Sequence, residues 1–487
     1  MKKQLEKSSG VTLIVLVITI VVLIVIATIS ITLSLREGGI FGTAETAKQM
    51  QELAGIKEES DLIKSDLMTE SYTEKVVEVN KSTLMKSLEK HFEGTIEGNK
   101  VIVKDGKYEI LVDNNLNITV EERIIDVWDG TTIDTEWYDD SKNDFKIKTA
   151  AQLAGLSQIV STGNYLMGKN IYLENDIDLN NKNWTSIGST SYFSGNFYGQ
   201  NNTIYNLNSE NKTYDGLFGL LYKAQIKDLN VENIRINNSV YSGGIASFVY
   251  DGATIQNVNL SGDITINTLY TGGGIVGWTQ GNCIIQEITL TGNVKVVGPY
   301  YVAGIAGYST GIPTIKDITI KVDDESYVKA TSAESINNVG GIVGVCTGSF
   351  AEPNINFATI ENCYSNINVV IAGVGAGGIA GYVDAAIIKN CKVEADVSLN
   401  AVTNEGKEYL TIGGITGYTC HSGDVNNVTI DNCTFNGNLK YSINGEIQSD
   451  VTYSNNGIAG CDRINTSQNL KVNNCYFNKT QVNIGVN

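Results

Sequence analysis

Two histidines, eight cysteines and one close run of carboxylates are the residues through which this chain could do chemistry. His91 and His421 lie far apart in different segments. That separation excludes an H-E-x-x-H zinc-protease motif and a histidine-based triad of ordinary reach. No C-x-x-C pair occurs, so the cysteines lack the spacing of a zinc site. The carboxylates Glu174, Asp176 and Asp178 alternate in "ENDIDL". In a strand they would share one face, where they could gather a calcium ion. The preferred reading is plainer: a solvent-facing polar stripe opposite Ile177 and Leu179. "DDES" at 323–326 reads as a solvated loop between units. No carboxylate pair is set up for glycoside hydrolysis. The residues therefore predict no catalytic site, no metal and no cofactor; the chain reads as a non-enzyme.

Aromatic residues offer binding chemistry instead. Tyr192, Phe193, Phe197, Tyr198, Tyr214, Tyr241, Tyr270, Trp278, Tyr300, Tyr301 and Tyr308 crowd one stretch. Where exposed, such rings can stack on sugars or bind protein; packing against turns is the plainer role for any single one.

The elements that must position these residues follow from the chain's texture. It has 487 residues, 42% of them hydrophobic, which is enough to bury a sizeable core and too many for a disordered tail. A formal charge of −18 argues against a nucleic-acid partner, since phosphate binding needs clustered Lys and Arg. From about Trp128 onward short β-rich segments alternate with Asn and Gly. A glycine-framed apolar word recurs, as in "GGIVG" and "GGIAG". Its members Gly216, Gly244, Gly274, Gly304, Gly341, Gly378, Gly414 and Gly457 stand 28 to 43 residues apart. A second word follows each: "IKDL", "IQNV", "IQEI" and "IKDI", then "IENC", "IKNC", "IDNC" and "VNNC". Cys363, Cys391, Cys433 and Cys475 thus replace Leu229, Val258, Ile288 and Ile318 in one register and behave as small buried hydrophobes.

This periodicity predicts stacked coils, because no unit can bury its apolar face alone. The glycines suit corners or close backbone approach. The Asn or acidic residue before each Cys/Leu position suits a turn and a stacked amide ladder. The fold class expected is mainly β, a parallel β-helix or β-solenoid. A β-propeller is the rival, although its blades are usually longer than the shortest repeats here.

Residues 11–35 hold no charge and at about 1.5 Å per residue are long enough to cross a bilayer. Lys2, Lys3 and Lys7 precede them, which predicts a cytoplasmic N-terminus and an extracellular remainder. A signal peptide is the rival, with a shorter apolar core and an A-x-A-like site. The stretch "KSSGVTLI" at 7–14 resembles a type IV prepilin leader. The resemblance implies cleavage by a prepilin peptidase between Gly10 and Val11, and pilin subunits as partners. Val15 stands where that family usually carries Glu, which bears on filament assembly more than on processing. Residues 44–69 read as a helix, 84–92 as another, and 101–112 as a hairpin around Asp105–Gly106.

The repeat words resemble the GLUG motif of bacterial surface proteins. "FKIKTAAQLAGLSQIV" (145–160) is similar to the helical segment that leads into such repeats, with Thr149 as its N-cap and Leu153, Leu156 and Ile159 covering the open end. The organisation expected is a leader over 1–10, a transmembrane helix over 11–35 and a helical stalk with a small pilin-like α/β head over 36–122. A linker and helical cap over 123–164 and the solenoid over 165–487 complete it. The function expected is a membrane-anchored or pilus-associated surface protein that displays its solenoid for adhesion to a glycan or protein. The alternatives are a carbohydrate-active surface enzyme and a purely structural minor pilin.

Overall fold

The computed structural model describes residues 40–74, 79–97, 100–104, 106–332, 337–351, 354–401, 411–419, 428–443, 446–447, 454–455, 457–460, 470–478 and 480–484. The chain divides into two units, Met1–Arg123 and Ile124–Asn487.

The first unit holds a helix α1 (Ile40–Glu74), a helix α2 (Lys81–Phe92) and strands β1 (Thr95–Glu97), β2 (Lys100–Val103), β3 (Tyr108–Val112) and β4 (Ile118–Glu122). Asn80 caps α2 reciprocally with Thr83, its side chain accepting from the Thr83 amide at 3.0 Å while Thr83 Oγ1 accepts from the Asn80 amide at 2.9 Å. The four strands form an antiparallel sheet in sequence order, with Val103 at the end of β2 facing Tyr108 at the start of β3. Ile56, Leu84, Leu88, Val101, Tyr108 and Ile110 make its core. Lys100 and Glu109 form a buried ion pair at 2.9 Å.

Charged residues recur throughout α1, as in "KEESDLIKSD", so its length does not make it a span. Among the described residues no helix is long and apolar enough to cross a membrane. This corrects the expected single-pass membrane placement. The stretch 11–35 on which it rested, like Gly10, Val11 and Val15, lies outside the described residues.

The second unit is mainly β and is built from stacked coils. One column shows the construction. Phe145 pairs in parallel with Ile171, then Phe197, Ile226, Ile255, Ile285, Ile315, Ile360, Ile388, Ile430 and Val472 follow, each on the next coil. Every member is buried. Like stacks on like, and a core that no single coil could close becomes continuous. The back wall is a second parallel sheet, in which Phe218, Ala246, Val276, Ala306, Val343, Ala380 and Thr416 stand in register. This is a β-solenoid.

Corners are made where the backbone must turn left-handed. Asn257, Asn362, Asn390, Asn432 and Asn474 hold φ between 50° and 54°, a conformation Asn tolerates better than most residues. Their amides also bond along the stack: Asn390 donates to Asn362 at 3.1 Å and Asn432 to Asn390 at 2.9 Å.

The open end is closed by α3 (Ala150–Ser161). Thr149 Oγ1 accepts from the Gln152 amide at 3.2 Å, and Leu153, Leu156, Ile159 and Val160 enter the solenoid core. A helix lying over the first coil removes a sheet surface that would otherwise invite association.

Candidate functional site

The residues singled out for chemistry do not converge. Glu174 stands outside the short strand Asp176–Asp178 and pairs with Lys146 and Lys148. Asp178 accepts from the Asn180 amide at 2.6 Å and from the Asn206 side chain at 2.9 Å. Asp176 is buried, not solvent-facing, and accepts from the Thr203 amide at 2.7 Å on the next coil. The carboxylates are thus engaged separately, and among the described residues no group of three or more His, Cys, Asp or Glu is placed to hold a metal ion. His91 lies exposed on α2, its Nε2 3.3 Å from Glu59; His421 lies outside the described residues.

The repeat glycines fall one per coil. A Cβ on Gly244 would stand 2.5 Å from the Gly274 carbonyl, on Gly274 2.1 Å from that of Gly304, and on Gly304 2.3 Å from that of Gly341. Gly341 and Gly378 meet the next carbonyl at 2.1 and 2.3 Å, and Gly216 meets Gly243 at 2.3 Å. Gly414 and Gly457 face the rings of Phe435 and Phe477 instead, at 2.4 and 2.3 Å. Only Gly457 has positive φ, so close approach is what excludes a side chain from the others.

Among the depressions on the solenoid surface, two bring polar or aromatic side chains together. One, of about 530 Å³, is lined by Asn206, Asn233, Arg235, Asn237, Asp263 and Asn267. Its amides bond to one another along the stack, Asn233 to Asn206 at 3.1 Å and Asn267 to Asn237 at 2.8 Å. The other, of about 460 Å³, is lined by Tyr165, Met167, Tyr192, Tyr222, Tyr250 and Asp251. Here Tyr165, Met167 and Tyr192 are 48%, 65% and 41% exposed, an unusual concentration of open apolar surface. Tyr192 is the hub: its ring centroid lies 5.7 Å from both Tyr222 and Tyr250 and 6.4 Å from Tyr165.

The local sequence explains the placement. Tyr222 and Tyr250 pair in register on successive coils, each just before a left-handed residue, Lys223 or Asp251. Tyr165 and Met167 come from the loop after α3. Burial, with Tyr192 beside it, pushes the Tyr250 phenol up to about 12, so it remains a neutral donor at physiological pH. Lys223 Nζ sits 5.1 Å from the Tyr222 ring centroid. The groove thus presents rings with polar tips beside an apolar thioether.

Of these groove residues the aromatic crowding in the sequence picks out only Tyr192. Phe193 and Phe197 are fully buried. The signal that finds Tyr222 and Tyr250 is their shared place before the turn closing each coil.

Residues 372–398 match the family model of the GLUG motif. The chain carries a GLUG repeat. Residues 153–262 match a second model, the M26 IgA1-specific metallo-endopeptidase N-terminal region. Two solved structures are also similar. A protein of Bacteroides ovatus, provisionally described as an immunoglobulin A1 protease, shares 19% identity over 71% of this chain and 80% of its own, with a TM-score of 0.32. An IgA1 protease shares 17% identity over 76% of this chain but only 24% of its own, with a TM-score of 0.37. No curated protein matches the chain.

The match at 153–262 corrects two expectations: an adhesive or pilus-associated display protein, and a non-enzyme. It points to an endopeptidase family. A catalytic zinc in such a family needs about three protein donors and an open position. The matched segment contains neither histidine nor cysteine, and the chain has no H-E-x-x-H. The described residues do not fit that metal.

Proposed function

We propose that the chain belongs to the machinery of immunoglobulin A1 cleavage, as a protein like the metallo-endopeptidases of that specificity, and that its solenoid holds the antibody in the tyrosine groove. One observation carries this reading: every residue that lines the groove falls inside 153–262, the segment that matches the N-terminal region of those endopeptidases. The chemistry agrees, because a protein substrate offers apolar side chains to the rings and backbone carbonyls to the phenol hydroxyls. The described residues supply binding and orientation; no hydrolytic step is assigned to them.

The test incubates the purified full chain with immunoglobulin A1, with added zinc or with a chelator. Antibody that co-elutes with the chain, in the presence of chelator as well, is the expected result. New antibody fragments that appear with zinc and vanish with chelator would place hydrolysis in this chain too. Neither co-elution nor fragments would overturn the reading.

A further inference from the structure

The column that begins at Leu229 changes character along the stack. Leu229, Val258, Ile288 and Ile318 pair coil to coil, and Ile318 pairs with Cys363. From there the occupants are all cysteines. Glu361 pairs with Lys389 and Tyr364 with Lys392, which brackets Cys363 opposite Cys391. Lys389 with Asp431 and Lys392 with Thr434 bracket Cys391 opposite Cys433, and Asp431 with Asn473 and Thr434 with Tyr476 bracket Cys433 opposite Cys475. All four are free thiols, at most 2% exposed. Each thiol donates to the carbonyl two residues before it, Cys363 to Glu361 and Cys433 to Asp431 at 3.3 Å, Cys391 to Lys389 and Cys475 to Asn473 at 3.2 Å, so the four sulfurs hold one repeated orientation along the column. Cys346, by contrast, stacks between Ser309 and Val383 and has no cysteine on either side.

Strands in one sheet lie about 4.8 Å apart. That spacing falls within the Cα separation of about 4.4–6.8 Å usual for disulfides, and a bridge needs the two Cβ atoms to draw together only slightly, to about 3.5–4.5 Å. We propose that this thiol column is a modification site at which a small-molecule disulfide forms two bridges, Cys363–Cys391 and Cys433–Cys475, which clamp the four C-terminal coils in pairs. The pairing follows from the geometry. Each thiol reaches only its neighbours, and four sites in a line can all be paired with neighbours in one way. A bridge between Cys391 and Cys433 would strand the two outer thiols on opposite sides of it.

The chemistry balances as thiol–disulfide exchange. The thiolate of one cysteine attacks the small disulfide, forms a mixed disulfide and expels one thiolate. The neighbouring cysteine's thiolate then attacks the protein sulfur, closes the bridge and expels the second. Each bridge oxidises two cysteine thiols and reduces one small disulfide to two thiols. Because the column is buried, the exchange takes place as coils open or while the chain folds.

The wild-type chain is sufficient for the test. It is incubated with oxidised glutathione in sub-denaturing urea, returned to buffer, alkylated and digested without reduction, and its cross-linked peptides are identified by mass spectrometry. The expected result is two bridges, 363–391 and 433–475, with a urea midpoint higher than that of the reduced chain. Cys391→Val should retain the 433–475 bridge and leave Cys363 free. All four cysteines recovered as free thiols would overturn the proposal. So would a 391–433 bridge as the main product, or bridges to Cys283, Cys346, Cys420 or Cys461.

Discussion

At the scale of single residues, tolerance is decided by what a side-chain atom would meet. A Cβ on Gly341 would stand 2.1 Å from the Gly378 carbonyl and 2.9 Å from Ser365 Oγ, inside a wall built from two neighbouring coils. Gly341→Val should therefore cost about 3 kcal/mol, the upper end of ordinary overpacking, because backbone and not a flexible side chain has to yield. Hydrogen exchange should show protection lost first in the coils around Gly304 and Gly378; unchanged protection would refute the close approach. Cys283 gives a pH dependence. Its thiol is buried beside the Val249 and Gln280 carbonyls, and burial pushes it up to about 11 from an ordinary 9.0. Between those values the unfolded chain releases a proton that the folded chain keeps, so stability falls as pH rises from 9 to 11 and then levels. Two pH units correspond to about 3 kcal/mol for this group. Urea midpoints at pH 8.5 and 11 should differ less for Cys283→Ala than for the wild type. Asp176 shows where residue-level reading fails: alternation placed it on a polar face, whereas it is buried and bonded to the Thr203 amide. The strand that holds it has three residues, too short for alternation to define a face.

At the scale of elements, local signals were the easiest to read. Thr149 before an apolar run marks α3, and the helix over Ala150–Ser161 starts at that cap. Thr149→Ala should cost about 1 kcal/mol, the usual worth of an N-cap. Leu153→Ala should cost about 2–5 kcal/mol, as for a buried leucine in a core that cannot collapse. Thermal melts of the fragment 124–487 would check both, and equal effects of the two changes would contradict a helix whose main work is to cover the core. The hairpin that pairs β2 with β3 was legible for a similar reason, since Gly106 stands between two apolar runs, "VIV" and "YEILV". The tyrosine groove was not legible. Its rings come from a loop and three separate strands, and they meet only through the register that sets Leu220 against both Tyr192 and Phe248. Crowding in sequence counted Phe193 and Phe197, which point into the core, and passed over Tyr222 and Tyr250.

At the scale of the whole molecule, the recurring glycine and Ile-x-x-Cys/Leu words make the stacked coils legible in the sequence alone. Each word marks one place per coil, and the column from Phe145 to Val472 realises that period. Function was not readable in the same way. Repeats report what a coil needs to stack, and a binding surface is where the sequence departs from the repeat. The second unit has its own core and its own capping helix. Residues 124–487 alone should accordingly give the β-rich circular dichroism and single melting transition of an independent unit; an unfolded fragment would show that the division at Arg123 is wrong. That fragment also allows the most direct measurement of the central claim, a binding titration with immunoglobulin A1. Wild-type 124–487 should bind saturably. Tyr192→Ala, which removes the hub of the groove, should weaken binding at least about tenfold, the scale of a hot-spot aromatic. Tyr382→Ala, on the same solenoid but outside the groove, should leave it unchanged. Equal binding by all three proteins, or none by the wild type, would contradict a tyrosine groove that holds the antibody.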